Sequence, residues 1–218
     1  MLNMLKRRLF IMFAAFAVLG IIMTVSSVKD LVELRKPRGE LETMSAKDFY
    51  SGRFVEGNVY ELWDNYAYME ESDTFMGISY NSKVTAQYFA LPLESTFYEE
   101  EPIFVAVAFT DSSDIVTAGK MSKETDDWYL YGKEPAVWTE MYISGKVTKL
   151  KGEGLKMFQN YINAIGYSTS RNMCGYVINA GNTGKNAYGG VIAAVAFTII
   201  GIGGLAFMII RRVISGSY

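Results

Sequence analysis

Two uncharged apolar stretches, one near each end of the chain, constrain the fold more than any other feature. Residues 9–28 and 186–210 contain no Asp, Glu, Lys or Arg. A helix of roughly 20 apolar residues crosses the hydrocarbon core of a bilayer, whereas a helix of a small soluble domain is rarely apolar on every face. The stretches therefore predict two transmembrane helices, with a buried core helix as the alternative for each.

The first stretch also has features of a signal peptide. Basic residues at 6–8 precede it, and Val25 and Ser27 are small enough to allow a cut after Ser27. The apolar segment of a signal peptide is typically only about 7–15 residues long. The greater length at 9–28 favours an uncleaved transmembrane helix.

Basic residues at the chain ends predict the orientation in the membrane. The tails 1–8 and 211–218 carry Lys and Arg next to the apolar stretches, and short basic tails stay cytoplasmic. Lys29, Arg35 and Lys36 follow the first stretch, but the orientation rule discounts loops longer than about 60 residues. We expect both tails in the cytoplasm of a bacterium and the segment between the two spans outside its cytoplasmic membrane.

The composition of the segment between the stretches excludes several functions. It holds all 23 acidic residues and 16 of the 21 basic ones, which argues against binding nucleic acid through bulk charge. The chain has no His, and Cys174 is its one Cys, so a His base, a zinc site of paired Cys and His, and an intrachain disulfide are all excluded. We expect Cys174 to be an inert, partly buried thiol, and we expect no cofactor and no enzymatic activity.

The same segment divides into a connector and a domain. Residues 29–50 mix acids and bases, and Pro37 and Gly39 end any helix that continues from the first stretch. Residues 51–185 form the predicted extracytoplasmic domain.

Short strands are predicted in the first half of this domain. The aromatic and β-branched run at 53–70 predicts one long bent strand or a hairpin around Asp64-Asn65, and a polar loop follows at 71–83. Further strands are predicted at 84–93 and 103–110. The last is an unbroken apolar run, typical of a central strand covered on both faces.

Two helices and two more strands complete the prediction. One helix begins at about residue 112, with Asp111 as its N-cap, and another covers 152–166 and stops at Gly166. Alternation at 136–150 and the run at 173–181 predict strands. The order indicates an α+β fold, a small antiparallel sheet or OB-like barrel with two helices, flanked by two transmembrane helices.

The whole layout resembles an uncharacterised family of two-span membrane proteins from Gram-positive gut bacteria. The resemblance lies in the two basic tails and spans and in the runs FYSGRFVEGNVYELWDNYA and YFALPL, and it covers nearly the whole chain. It implies a membrane-anchored domain, and it implies no catalytic or binding residues.

Four aromatic residues of the run at 53–70 are candidates for a ligand platform: Tyr60, Trp63, Tyr66 and Tyr68. Sites for sugars and peptides use Trp and Tyr because these side chains combine an apolar face with a polar edge. Aromatic residues also pack ordinary sheets, so core packing is the alternative.

The acidic residues form no recognisable site. A hydrolase with two carboxylates needs no His, and Asp64 with Glu61 or Glu140 is one pair to test among many. The acidic clusters at 70–73 and 99–101 lack the spacing of a calcium-binding loop and indicate solvated loops. We expect no metal site.

Small residues recur on one face of the second apolar stretch: Gly190, Ala194, Thr198, Gly201 and Gly204. In lipid, helices associate where small residues let their backbones approach closely. The face predicts packing against the first span, with Ala17, Gly20 and Thr24 as the matching set, or docking of another membrane protein or a second copy.

These observations support three hypotheses of function. The first is a non-enzymatic, membrane-anchored accessory or scaffold protein in a membrane complex. The second is a binding or sensing module for a cell-wall glycan or peptide. The third is a carboxylate-based hydrolase. Beyond the lipid bilayer, any partner is predicted to be a membrane protein and not a nucleic acid.

Overall fold

The structure, a computed structural model, describes residues 2–75, 78–93, 102–184 and 187–215. The chain forms two compact units. The first comprises Met1–Lys36 and Gly184–Tyr218, and the second comprises Pro37–Thr183. These divisions differ from the predicted 29–50 connector, most of which belongs to the second unit.

The first unit is a pair of long helices, α1 (Leu2–Leu34) and α4 (Ala187–Ser215). Their segments Arg7–Leu34 and Tyr188–Arg211 are long and apolar enough to cross a membrane. Large apolar side chains remain exposed along both helices, as expected of surfaces that face lipid. α1 ends shortly before Pro37, which cannot continue a helix.

The second unit is an α+β domain, so the predicted fold class is confirmed. Its helices are α2 (Ser112–Tyr131) and α3 (Gly152–Ala164), with a short 3₁₀ helix at Ala46–Asp48. Its described strands are β1 (Gly39–Glu40), β2 (Phe54–Val59), β3 (Trp63–Phe75), β4 (Ile78–Pro92), β5 (Phe104–Phe109), β6 (Met141–Lys149) and β7 (Met173–Ala180).

The described strands form one open, mixed sheet in the order β1-β2-β6-β7-β5-β4-β3. β5 pairs with β7 in parallel, as β1 does with β2, and the other pairs are antiparallel. The predicted small antiparallel sheet or OB-like barrel is thus corrected to a mixed, open sheet. Parallel neighbours need a long crossover, and here α2, β6 and α3 separate β5 from β7 along the chain.

The sheet is strongly curled. β2 and β3 lie five strand spacings apart in the sheet order, which in a flat sheet is about 24 Å. Only residues 60–62 join them, and four Cα steps span at most about 15 Å. The curl brings Val55 and Val59 of β2 into one apolar core with Phe89 and Leu91 of β4.

Both faces of the central strand β5 are covered, as its apolar run predicts. All six of its residues are buried. Val105, Val107 and Phe109 belong to the core that contains Ala118 and Met121 of α2, which we call the α2-side core. The alternate residues Phe104, Ala106 and Ala108 pack with Phe158 and Ile162 of α3 in the α3-side core.

Local helix signals match the structure. Asp111 is the N-cap of α2, and its carboxylate accepts hydrogen bonds from the backbone N–H groups of Ser113 and Asp114. After α3, Gly166 adopts a left-handed φ of 89°, a conformation that glycine reaches without a steric penalty.

Strand boundaries differ from the prediction in three places. The run at 53–70 is neither one bent strand nor a hairpin, because β2 and β3 lie apart in the sheet. The polar loop predicted at 71–83 falls largely within β3 and β4. The alternating run at 136–150 forms a strand only from Met141, and the residues before it turn toward α2.

Candidate ligand pocket

A cavity of about 730 Å³ lies within the Pro37–Thr183 unit. Four buried apolar residues of the α2-side core form its floor: Leu41, Val59, Leu91 and Leu93. A cavity of this volume holds a drug-sized molecule, and such sites are mainly apolar with a few placed polar groups. The floor therefore provides a surface for an apolar ligand body.

Aromatic side chains form the rim of this cavity: Tyr60, Trp128, Tyr129 and Trp138. The rings of Trp128 and Trp138 meet edge to face, with centroids 6.1 Å apart and an interplanar angle of 80°. Tyr60 and Trp128 remain 46% and 42% exposed. A ligand can therefore reach these rings from solvent.

The C-terminal end of α2 positions the two tryptophans. Gly132 has a left-handed φ of 63°, and its N–H donates to the carbonyl of Trp128 at 2.9 Å. Thr139 then donates through its backbone N–H and its hydroxyl to the two carboxylate oxygens of Glu124, at 2.8 and 2.9 Å. This clamp returns the chain to α2 and places Trp138 beside Trp128.

Glu61 supplies a partly buried carboxylate to the cavity wall. The indole N–H of Trp63 and the hydroxyl of Tyr129 both donate to it. Burial raises the pKa of Glu61, and these two hydrogen bonds lower it in part. The carboxylate is thus held by two aromatic donors in a poorly solvated place.

The remaining polar lining comes from Glu42, Asn58 and Thr125. Glu42 accepts a hydrogen bond from the backbone N–H of Asn58 at 2.7 Å, which ties the chain after β1 to β2. Among the described residues that line the cavity, the carboxyl groups are Glu42 and Glu61, and there is no Lys or Arg. The lining therefore has a negative character.

The four predicted platform residues do not form one surface. Tyr60 lines the cavity, and Trp63 packs against Phe104 and Tyr129, each with ring centroids 5.2 Å away. Tyr66 stacks on Tyr161 of α3 at 5.5 Å, while Tyr68 is 62% exposed. The structure therefore brings only Tyr60 and Trp63 to the candidate site.

Most residues of the cavity lining were not predicted from the sequence. The alternating pattern at 136–150 placed Trp138 on a strand, and no sequence motif connected Trp128, Tyr129 or Glu42 with a site. One signal was present, because the chain has only three tryptophans and all three are at this cavity or bonded to its carboxylate.

Asp64 has a different partner from those considered for a hydrolase. Its carboxyl group hydrogen-bonds to that of Asp126 on α2, and not to Glu61 or Glu140. Burial and the neighbouring Asp64 raise the pKa of Asp126 to about 6. Burial and the same two carboxylates raise the pKa of the nearby Tyr161.

The other sequence candidates have structural environments of their own. Cys174 is buried, and burial raises the pKa of its thiol to about 11, so little thiolate forms at neutral pH. The acidic cluster at 99–101 lies outside the described part of the chain, and so do the side chains of residues 71–73 in the cluster at 70–73. In the described part, no group of three or more His, Cys, Asp or Glu could hold a metal ion.

In the first unit, the small-residue face of α4 lies against α1. Ala194 is fully buried, and a Cβ added at Gly201 would lie 2.7 Å from the Cα of Ala17. A Cβ at Gly190 would lie 3.0 Å from the hydroxyl oxygen of Ser27. Thr198 packs on Gly20 and Gly204 on Phe13, so contacts within one chain account for the face.

Comparison with known proteins gives a family and no activity. No curated protein matches the chain. The family described as a domain of unknown function (DUF8577) matches residues 2–211, nearly the whole chain including both long apolar helices. The chain belongs to this family.

Proposed function

We propose that this protein is a membrane-anchored binding protein whose Pro37–Thr183 domain takes a small ligand with an apolar body into the cavity. The observation that carries the proposal is the cavity itself: buried apolar residues line it together with four aromatic side chains, of which Tyr60, Trp128 and Tyr129 are exposed. Sites for small molecules are lined mainly by aromatic and aliphatic side chains, which remove the ligand from water.

The proposal includes the anchor and its orientation. α1 and α4 would span the cytoplasmic membrane of a bacterium. The resemblance to two-span membrane proteins of Gram-positive gut bacteria supports this part of the proposal. The basic tails would stay in the cytoplasm, so the cavity would face the extracytoplasmic side. A binding or sensing role for a component of that compartment follows.

The other two hypotheses have less support. An accessory or scaffold role would require the small-residue face of α4 to be free for docking, but α1 of the same chain contacts that face. A hydrolase would require Asp64 to act together with Glu61 or Glu140, but the carboxyl group of Asp64 pairs with that of Asp126. We therefore propose a non-enzymatic binding function.

Tryptophan fluorescence gives a direct test. Two of the three tryptophans line the cavity, and the third donates to Glu61, so a bound ligand should change the emission. The full chain in nanodiscs of neutral lipid is titrated with phenylbutanol, a neutral probe with an aromatic end. We expect a saturable change in emission.

A matched pair of variants locates the binding. Asn58→Phe places a ring at the cavity wall and should weaken binding at least about tenfold by filling the space. Asn65→Phe is the same change at an exposed position of β3 outside the cavity and should leave binding unchanged. Equal effects of the two variants, or no saturable signal with this probe or its charged analogues, would contradict the proposal.

A further inference from the structure

The carboxylate of Glu61 has hydrogen-bonding capacity that the described residues of the protein leave unused. A carboxylate offers about four lone-pair directions, and Trp63 and Tyr129 occupy two of them. None of the ion pairs found among the described residues involves Glu61. Since Glu61 also lines the cavity, a ligand can supply the missing partner.

The surroundings of this carboxylate favour a cation. Glu42 is the other carboxyl group of the lining, so an anionic ligand would meet repulsion from both. The faces of Trp and Tyr attract organic cations through their ring quadrupoles, and Tyr60, Trp128, Tyr129 and Trp138 form the rim. Carboxylates beside aromatic rings suit an ammonium group better than a neutral or anionic one.

A bare metal cation fits the same place poorly. Calcium takes six to eight oxygen ligands and magnesium about six, whereas the polar groups of the described lining are two carboxylates, the side chains of Asn58 and Thr125 and two tyrosine hydroxyls, spread among apolar side chains. An organic cation needs only one or two charged hydrogen bonds, and its carbon body can cover the apolar floor of Leu41, Val59 and Leu91.

We infer that the cavity selects an organic ammonium ion, with the positively charged nitrogen at Glu61 and an apolar body on the floor of the cavity. This inference rests on the proposed function. It adds the chemical class of the ligand and assigns Glu61 as the residue that determines specificity.

Three probes of matched shape test the inference. Phenylbutylammonium, phenylbutanol and phenylbutyrate share a phenyl group on a short alkyl chain and carry head groups that are positive, neutral and negative at pH 7. Each is titrated against the full chain in nanodiscs of neutral lipid, with tryptophan emission as the readout. We expect the ammonium probe to bind at least about tenfold more tightly than the alcohol, because a hydrogen bond between two charged groups is stronger than one from a neutral hydroxyl. The carboxylate probe should bind most weakly.

Glu61→Gln separates the charge of the residue from its shape. The amide keeps an acceptor for Trp63 or Tyr129, so the variant should fold and should reduce the preference for the ammonium probe to about twofold or less. Glu153→Gln makes the same charge change on the exposed start of α3, outside the cavity. It should retain the full preference.

The outcomes separate ligand binding by the cavity from its selectivity for cations. If none of the three probes gives a saturable signal, the proposed function fails and the inference fails with it. If all three bind with similar affinity, the cavity binds ligands but does not select cations, and the inference alone is overturned. A preference that persists in Glu61→Gln would remove Glu61 from its assigned role.

Discussion

Trp63 donates its indole N–H to the carboxylate of Glu61, two residues earlier in the chain. The same indole ring packs edge-on against Phe104 of the α3-side core and tilts against Tyr129. One side chain therefore joins the packed interior to the cavity. Because a large ring held by packing has few alternative rotamers, it fixes the position of the carboxylate.

The first prediction concerns this hydrogen bond. Trp63→Phe keeps an aromatic ring against Phe104 but removes the donor from a partly buried carboxylate. We expect the free energy of unfolding of the full chain to fall by roughly 1.5 kcal/mol, the lower end of the range for a hydrogen bond to a charged group, because Glu61 is only partly buried. Chemical denaturation followed by circular dichroism measures the change.

Trp128→Phe is the matched control for that experiment. Trp128 lies on the rim and is partly exposed, so the same substitution should change the unfolding free energy by no more than about 0.5 kcal/mol. Equal losses in the two variants would mean that the Trp63 donor contributes nothing beyond ring packing.

The second prediction is a pH dependence set by Asp126. Its pKa of about 6 in the folded protein lies above the ordinary value of about 3.9. The protonated carboxyl therefore favours the folded state, and this contribution is present below about pH 4 and is lost as pH rises through about 6. Asp126→Asn should be more stable than the native chain above pH 6 and should not be more stable below pH 4.

The size of this effect is small because Asp126 is only partly buried. Solvent screening limits it to about 0.5 kcal/mol. Unfolding free energies between pH 4 and pH 8 provide the measurement. Asp64→Asn removes the partner carboxylate and should reduce the same pH dependence, whereas parallel profiles in all three proteins would contradict a raised pKa of Asp126 in the folded state.

The third prediction is a disulfide between α1 and α4. The Cβ of Ser27 lies 3.9 Å from the position of a Cβ added at Gly190, within the range of disulfide bonds. The double variant Ser27→Cys, Gly190→Cys should form an intrachain bond on mild oxidation. Electrophoresis without reductant, after protease cleavage between the helices, detects it.

Two glycines of α4 provide a matched comparison for the cross-link. Gly201→Leu should reduce its yield several-fold because the added side chain would overlap the backbone of Ala17. Gly203→Leu should leave the yield unchanged, since a Cβ there meets no atom within 4 Å. Covalent dimers in place of the intrachain bond would instead favour packing of this face between copies.

The fourth prediction concerns the side of the membrane that the domain occupies. Lys156→Cys places a thiol on the exposed surface of α3, and the native Cys174 is buried. In intact cells, a membrane-impermeant maleimide should label Lys156→Cys and should label Ser217→Cys in the C-terminal tail only after permeabilisation. The reverse pattern would place the domain in the cytoplasm.

Local features of the fold are predictable from the sequence alone. Two uncharged runs predict long apolar helices, Asp111 predicts the start of α2, and Gly166 predicts the end after α3. The unbroken apolar run at 103–110 predicts a strand buried on both faces. In each case the physical cause lies within a few residues of the signal: side-chain hydrophobicity, an N-cap hydrogen bond or a left-handed backbone.

The tertiary structure alone decided which distant segments meet. Curling of the sheet allows residues 60–62 to join β2 to β3, and the clamp between Glu124 and Thr139 draws Trp138 out of the predicted strand. Asp64 pairs with Asp126 of α2, and Glu61 accepts a hydrogen bond from Tyr129 of the same helix. These contacts depend on the path of the backbone between residues far apart in the chain, and hydrophobic periodicity carries no information about that path. The sequence therefore determined the two apolar helices and the α+β class, while the cavity and its carboxylate exist only in the folded domain.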